Sequence, residues 1–244
     1  MNNLINKKQN TNKESNMDGT AVGLKLGMEI LKKTTPTGLA WVSTYLKGKE
    51  LLLLGPGGVG KSSISDYLEY GVLEPEDDHN RTHRVKKTST FSLKMGKEGM
   101  LKLNIKRVVD TPGQVGPTAH AELVKERRPH AIIIVMDINY SIEIIEGWII
   151  EFCEHLDELV RSNKKVISKL KSINIILNKT DKISDVILKS KKQDVKKSVT
   201  REFKSILGPQ RSRKIPCDAC ISIQNDEGSI LIDNIIRKIA KEFQ

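Results

Sequence analysis

A lysine and two hydroxyls, Lys61-Ser62-Ser63, stand directly behind a turn built almost wholly of glycine and proline, Gly55-Pro56-Gly57-Gly58-Val59-Gly60. Without a Cβ, glycine lets the backbone curl and aim successive N–H groups at the oxygens of an anion. The spacing is G-x-x-x-x-G-K-[ST], that of a phosphate loop. Lys61 brings a full positive charge to the terminal phosphates, and the Ser62 hydroxyl is of the type that holds Mg²⁺. The apolar run Leu51–Leu54 precedes the turn and a helical pattern over Ile64–Tyr70 follows it. A helix starting there adds its own partial positive charge to the phosphate site.

Two further patterns also fall at the ends of apolar runs. Residues 101–109 lead into Asp110-Thr111-Pro112-Gly113-Gln114. An acid at a strand end beside a phosphate loop holds Mg²⁺, Gly113 leaves a backbone N–H free to approach a γ-phosphate, and Gln114 can orient an attacking water. Residues 173–177 end in Asn178-Lys179-Thr180-Asp181. The Asp181 carboxylate can accept from the ring N–H and the exocyclic amine of guanine, a donor pair that adenine lacks. Where a site buries such a pairing, discrimination reaches roughly 10⁴-fold.

These turns need strands to carry them. Ala131–Asp137 and Ile173–Leu177 are β-branched runs of the buried, parallel kind. Phe91, Leu93 and Met95 alternate with polar residues, as do Leu101, Leu103 and Ile105, and Gly96–Gly99 separates the two runs, which predicts an antiparallel hairpin. Ile142, Ile145, Ile149, Phe152, Leu156 and Leu159 mark one face of a long helix, and Leu231, Ile235, Ile236 and Ile239 mark a last one. The expected fold is a three-layer α/β domain over residues 49–244, mostly parallel with one antiparallel hairpin strand. Ahead of it, residues 1–20 have the polar composition of a disordered tail. Residues 21–48 read as an amphipathic helical extension, broken at Pro36-Thr37-Gly38.

Composition narrows the setting. The apolar runs are too short to span a bilayer, and no export signal opens the chain. Three cysteines, Cys153, Cys217 and Cys220, fit reduced thiols in a cytoplasm. Cys217 and Cys220 have the CxxC spacing without a second Cys or His pair, so two incidental thiols entering a strand are favoured over a zinc or redox site. The formal charge of +11 is concentrated: residues 182–214 hold eleven Lys/Arg against three Asp/Glu. Such a segment suits a solvated helix face first, and beyond that an acidic partner, RNA or an anionic membrane surface.

The boxes GPGGVGKS, DTPGQ and NKTD together resemble those of the Ras-like small GTPases within the P-loop GTPases, over residues 49–244. The resemblance implies GTP/GDP and Mg²⁺ as ligands, hydrolysis of GTP, a switching role, and protein effectors and regulators. It implies that Asn178 and Asp181 read guanine while Lys179 packs along the base. Ser222 and the Ile223 backbone stand where the family writes Ser-Ala-Lys, although Gln224 replaces the lysine. The threonine that closes over Mg²⁺ and γ-phosphate is sought among Thr82, Thr88 and Thr90. Thr88, expected just ahead of the hairpin strand, fits the layout best. Arg84 faintly resembles the internal arginine of heterotrimeric G-protein α subunits, with one residue too many before Thr88; solvated loop charge is the other reading. A module with vestigial hydrolysis and a basic, RNA- or ribosome-associated GTPase are the alternatives to a switch. Asp181→Asn should move preference from guanosine toward xanthosine nucleotides, because the amide donates where the carboxylate accepted. Competition binding with the two nucleotides checks it.

Overall fold

The computed structural model describes residues 48–70, 73, 86–94, 100–110, 115–222 and 226–243, with side chains except in 86–94 and 100–110 and at Glu69 and Asp226. The expected N-terminal tail and the extension up to residue 47 lie outside the described residues. So do the 95–99 connection, Thr82, Arg84, the segment from Thr111 to Gln114, and Ile223.

Six strands form one sheet in the order β2-β3-β1-β4-β5-β6. They are β1 (Glu50–Leu54), β2 (Lys86–Lys94), β3 (Met100–Asp110), β4 (Ala131–Asp137), β5 (Ser172–Asn178) and β6 (Cys217–Ala219). Strand β1 runs parallel to β3 and β4, and β4-β5-β6 continue in parallel. Only β2 runs antiparallel, against β3. Strand β2 begins at Lys86, so Thr88 stands inside it as the register partner of Val108, not ahead of it as the sequence suggested. The physical reason is the length of β3, whose eleven residues offer pairing partners up to Asp110.

Every residue of β1, β4 and β5 is buried, which is why apolar residues dominate these runs. Side chains still alternate between faces. Leu52, Leu54, Ile132, Ile134 and Met136 enter one core, closed by α2 (Pro117–Arg127), α3 (Ile142–Ser162) and α4 (Asp185–Glu202). Leu51, Leu53, Ile133 and Val135 enter the other, closed by α1 (Lys61–Tyr70) and α7 (Asp226–Lys241). Between α4 and β6 come two short helices, α5 (Lys204–Leu207) and α6 (Pro209–Lys214).

Helix α3 shows how sequence makes these layers. Ser141 caps it, its hydroxyl accepting from Ile144 N at 3.4 Å. Ile145, Ile149, Phe152, Leu156 and Leu159 then recur every three or four residues and are all buried. Trp148 stacks on Phe152 with ring centroids 5.3 Å apart. On the other face, buried Tyr67 of α1 donates its hydroxyl to Asp233 Oδ1 of α7 at 2.9 Å. Tyr67→Phe removes a buried donor and should destabilise the fold by about 1–3 kcal/mol, read as a lower urea midpoint at unchanged slope.

Candidate nucleotide-binding site

The site gathers at the carboxyl ends of the parallel strands, where open α/β sheets bind their ligands. The phosphate loop leaves β1, Asp110 ends β3, Asp137 ends β4 and Asn178 ends β5. In the β1–β3 register Asp110 pairs with Leu53, two residues before Gly55. The backbone therefore brings Asp110 beside the loop.

Two glycines of the loop are fixed by close approach. Gly55 has φ +135°, and a Cβ there would stand 2.1 Å from the Val135 carbonyl oxygen of β4. Gly60 has φ +93°, and its Cβ would meet Asn178 Nδ2 at 2.3 Å and Ser222 Oγ at 2.4 Å. Pro56, Gly57 and Gly58 form the outer rim of the turn, while Val59 is wholly buried. The first turn of α1 closes with Ile64 N donating to Gly60 O at 3.1 Å. Lys61 is 5 % exposed, and its Nζ folds over the loop to donate to Gly55 O at 2.8 Å and Pro56 O at 2.7 Å. Ser62 is half-buried and Ser63 buried beside it at the helix start.

Asn178 joins three segments. Its Nδ2 donates to Val59 O of the phosphate loop at 2.8 Å and to Ser222 Oγ at 2.6 Å. The Val59 carbonyl, which can only accept, fixes which amide atom is the nitrogen. Among the described residues its Oδ1 is buried without a hydrogen-bond partner, an acceptor that a ligand N–H can satisfy. Ser222, read in sequence only through a loosely matching box, is thus brought into the site. Thr180 staples the same segments, its hydroxyl donating to Cys220 O at 3.1 Å. Asp181 sits exposed in the 3₁₀ turn Thr180–Lys182, beside Asn178 and open to a ligand.

Lys179 adopts the left-handed conformation, φ +64°, and pairs its Nζ with Asp137 Oδ2 at 2.8 Å. Burial pushes the Asp137 carboxyl up, but Lys179 and the two Asn139 donors outweigh it and hold it below the usual carboxylate range. Tyr140 reaches from the same turn to donate to Gly57 O at 3.4 Å. Lys191 of α4 holds that turn from beneath, donating to Ile138 O and Tyr140 O at 2.8 Å each. Asp137, Asn139, Tyr140 and Lys191 were missed in sequence. An acid ending a buried apolar run is the signal that could have found Asp137.

The basic segment 182–214 is not one solvated face. Lys191 is bound as described, Lys196 donates to the carbonyls of Arg213 and Ile215, and Lys197 pairs with Asp194. The cysteines are free and buried; burial pushes the Cys217 thiol up to about 11 and the Cys220 thiol to about 12. Both are protonated at neutral pH, as incidental core thiols should be. Among the described residues no group of three or more His, Cys, Asp or Glu could hold a metal, and no helix is long and apolar enough to cross a membrane. Gly60→Ala should abolish retained nucleotide and lower the melting temperature, since the methyl would fall on Asn178 and Ser222. Gly58→Ala, with open space at φ +73°, should cost only the left-handed strain of about 1–2 kcal/mol. Nucleotide content and a thermal melt of the two variants separate the cases.

A family model described as the Gtr1/RagA G protein conserved region matches residues 50–230. No curated protein matches. Among solved structures, a dimerization-deficient mutant of Toc33 from Arabidopsis thaliana superposes with a TM-score of 0.54 at 16% identity, covering 88% of this chain and 95% of that one. Toc33 from Arabidopsis thaliana in complex with GDP and Mg²⁺ gives 0.53 at 16% identity, covering 90% and 96%. At such identity the likeness shows the fold alone, an α/β sheet flanked by helices. The family match, spanning more than half of the chain and every strand from β1 to β6, shows that the chain belongs to the Gtr1/RagA G-protein family.

Proposed function

We propose that this chain is a GTP-hydrolysing molecular switch working with Mg²⁺ in the cytoplasm, beyond the GTP-binding G-protein character that its family carries. The observation that supports the reading most is the Asn178 amide, which locks the phosphate loop to the base-reading turn through Val59 and Ser222. Phosphates and base of one nucleotide then fit a single preformed support. Lys61 is held at the loop by two carbonyls that an arriving phosphate can replace as its partner. Gly55–Ser63 cradle the phosphates, and Asp181 reads guanine.

Ser62, Thr88 and Asp110 are the residues assigned to Mg²⁺, which when bound neutralises charge on the β- and γ-phosphate oxygens. Gln114 orients the attacking water, and Gly113 gives its N–H to the γ-phosphate. Closure of the segments carrying Thr88 and Gln114 around GTP, and their release after hydrolysis, is the signal to effectors and regulators. The free, buried thiols fit a reducing compartment.

Single-turnover hydrolysis tests the proposal. The expected intrinsic rate is on the order of 10⁻⁴ s⁻¹, that of an unassisted switch. Gln114→Leu should slow it further at nearly unchanged GTP affinity, because the lost interaction exists only in the transition state. Arg84→Ala should leave the rate as it was. Hydrolysis indifferent to Gln114→Leu would remove the water-positioning role.

A further inference from the structure

Away from the nucleotide, α4, α5 and α6 enclose an open groove of about 530 Å³, lined by Lys196, Lys197, Arg201, Lys204, Pro209 and Arg213 among others. No carboxylate lines it. Lys197 is paired with Asp194 at 3.1 Å and Arg201 with Glu202 at 2.5 Å, both beside the rim. Lys204 and Arg213 are exposed, stand on separate helices, and have no carboxylate partner among the described residues. Lys196 ties α4 to α6 through the Arg213 and Ile215 carbonyls and so fixes the backbone that carries Arg213.

The geometry points to a docking groove for a short acidic peptide segment of a partner protein, with carboxylates on either side of an apolar side chain. Two unpaired cations on different helices set two anchor points, and a guanidinium takes a carboxylate bidentately. The same lining offers the methylene stems of lysine and arginine and the Pro209 ring, an apolar bed for one side chain. RNA fits less well. No aromatic lines the groove to stack a base, and Asp194 and Glu202 would repel a phosphate chain run along the rim. A flat bilayer does not enter a concave groove. The site is independent of the nucleotide reading, because none of its lining residues belongs to the phosphate loop or the base turn.

Fluorescence anisotropy of a labelled Glu-Leu-Glu-Leu-Glu peptide against the full-length, GDP-loaded chain tests it. Binding should weaken at least tenfold for Lys204→Glu with Arg213→Glu. It should persist for Lys164→Glu with Lys165→Glu, which makes the same charge change at exposed residues elsewhere. A Gln-Leu-Gln-Leu-Gln peptide should not bind. The GDP content of each variant reports whether it is folded, and the milder Lys204→Gln, Arg213→Gln pair replaces a charge reversal that loses it. Equal weakening by both reversed pairs, or equal affinity for penta-glutamate, would reduce the groove to bulk charge and overturn the proposal. So would an RNA duplex or phosphatidylserine vesicles that need Lys204 and Arg213 while the peptide does not bind.

Discussion

One side-chain amide ties together three segments of this architecture. Asn178 ends a strand that is buried along its whole length, and its Nδ2 reaches both Val59 O and Ser222 Oγ. Those acceptors lie 119 and 44 residues away in sequence. Buried amides tolerate little change, since each lost partner leaves a desolvated polar group behind. The absent Cβ of Gly60 follows from the same contact, because the amide and the serine hydroxyl occupy the space where that atom would stand. The glycine therefore serves the packing of neighbouring loops as well as phosphate approach.

A second network supports the first. Asp137, Asn139 and Tyr140 leave β4 and engage Lys179 and Gly57, while Lys191 rises from α4 to hold their backbone. Lys179 is a non-glycine residue in a left-handed conformation, and its ion pair with Asp137 holds it there. The pair's effect on pH follows from its sign. A carboxyl held low contributes stability above the carboxyl's unfolded value, and that stability is lost as pH falls through the folded one.

How much of this was legible beforehand depended on range. The turn at Gly55–Gly60 was legible from its run of glycine and proline, and the strands β1, β4 and β5 from the apolar residues that burial on both faces makes dominant in them. Helix α2 was invisible: its buried residues are His120, Ala121 and Val124, which form no periodic apolar stripe. Strand β6, three residues long, was legible only as a strand that Cys217 and Cys220 enter, without bounds. The start of β2 was misplaced because Lys86 and Lys87 look like loop residues until the length of β3 offers them partners. Lys191 and Lys196 could only be counted as charge, since the carbonyls they hold come from segments 17 to 53 residues away. Their positive charge was plain in the sequence; its use was not.

Helix α4 is held at two places by those lysines, at the turn beside the base and at the backbone of α6. It acts as a strut between two parts of the molecule that share no residues. A strut of this kind transmits load both ways. Were a bound nucleotide and a ligand against α6 coupled through α4, each would change the other's affinity by the same factor and in the same direction. A stiff strut couples such sites at small displacement, and a methylene-stemmed ammonium on a carbonyl, with one favoured length near 2.8 Å, leaves little play at the base end.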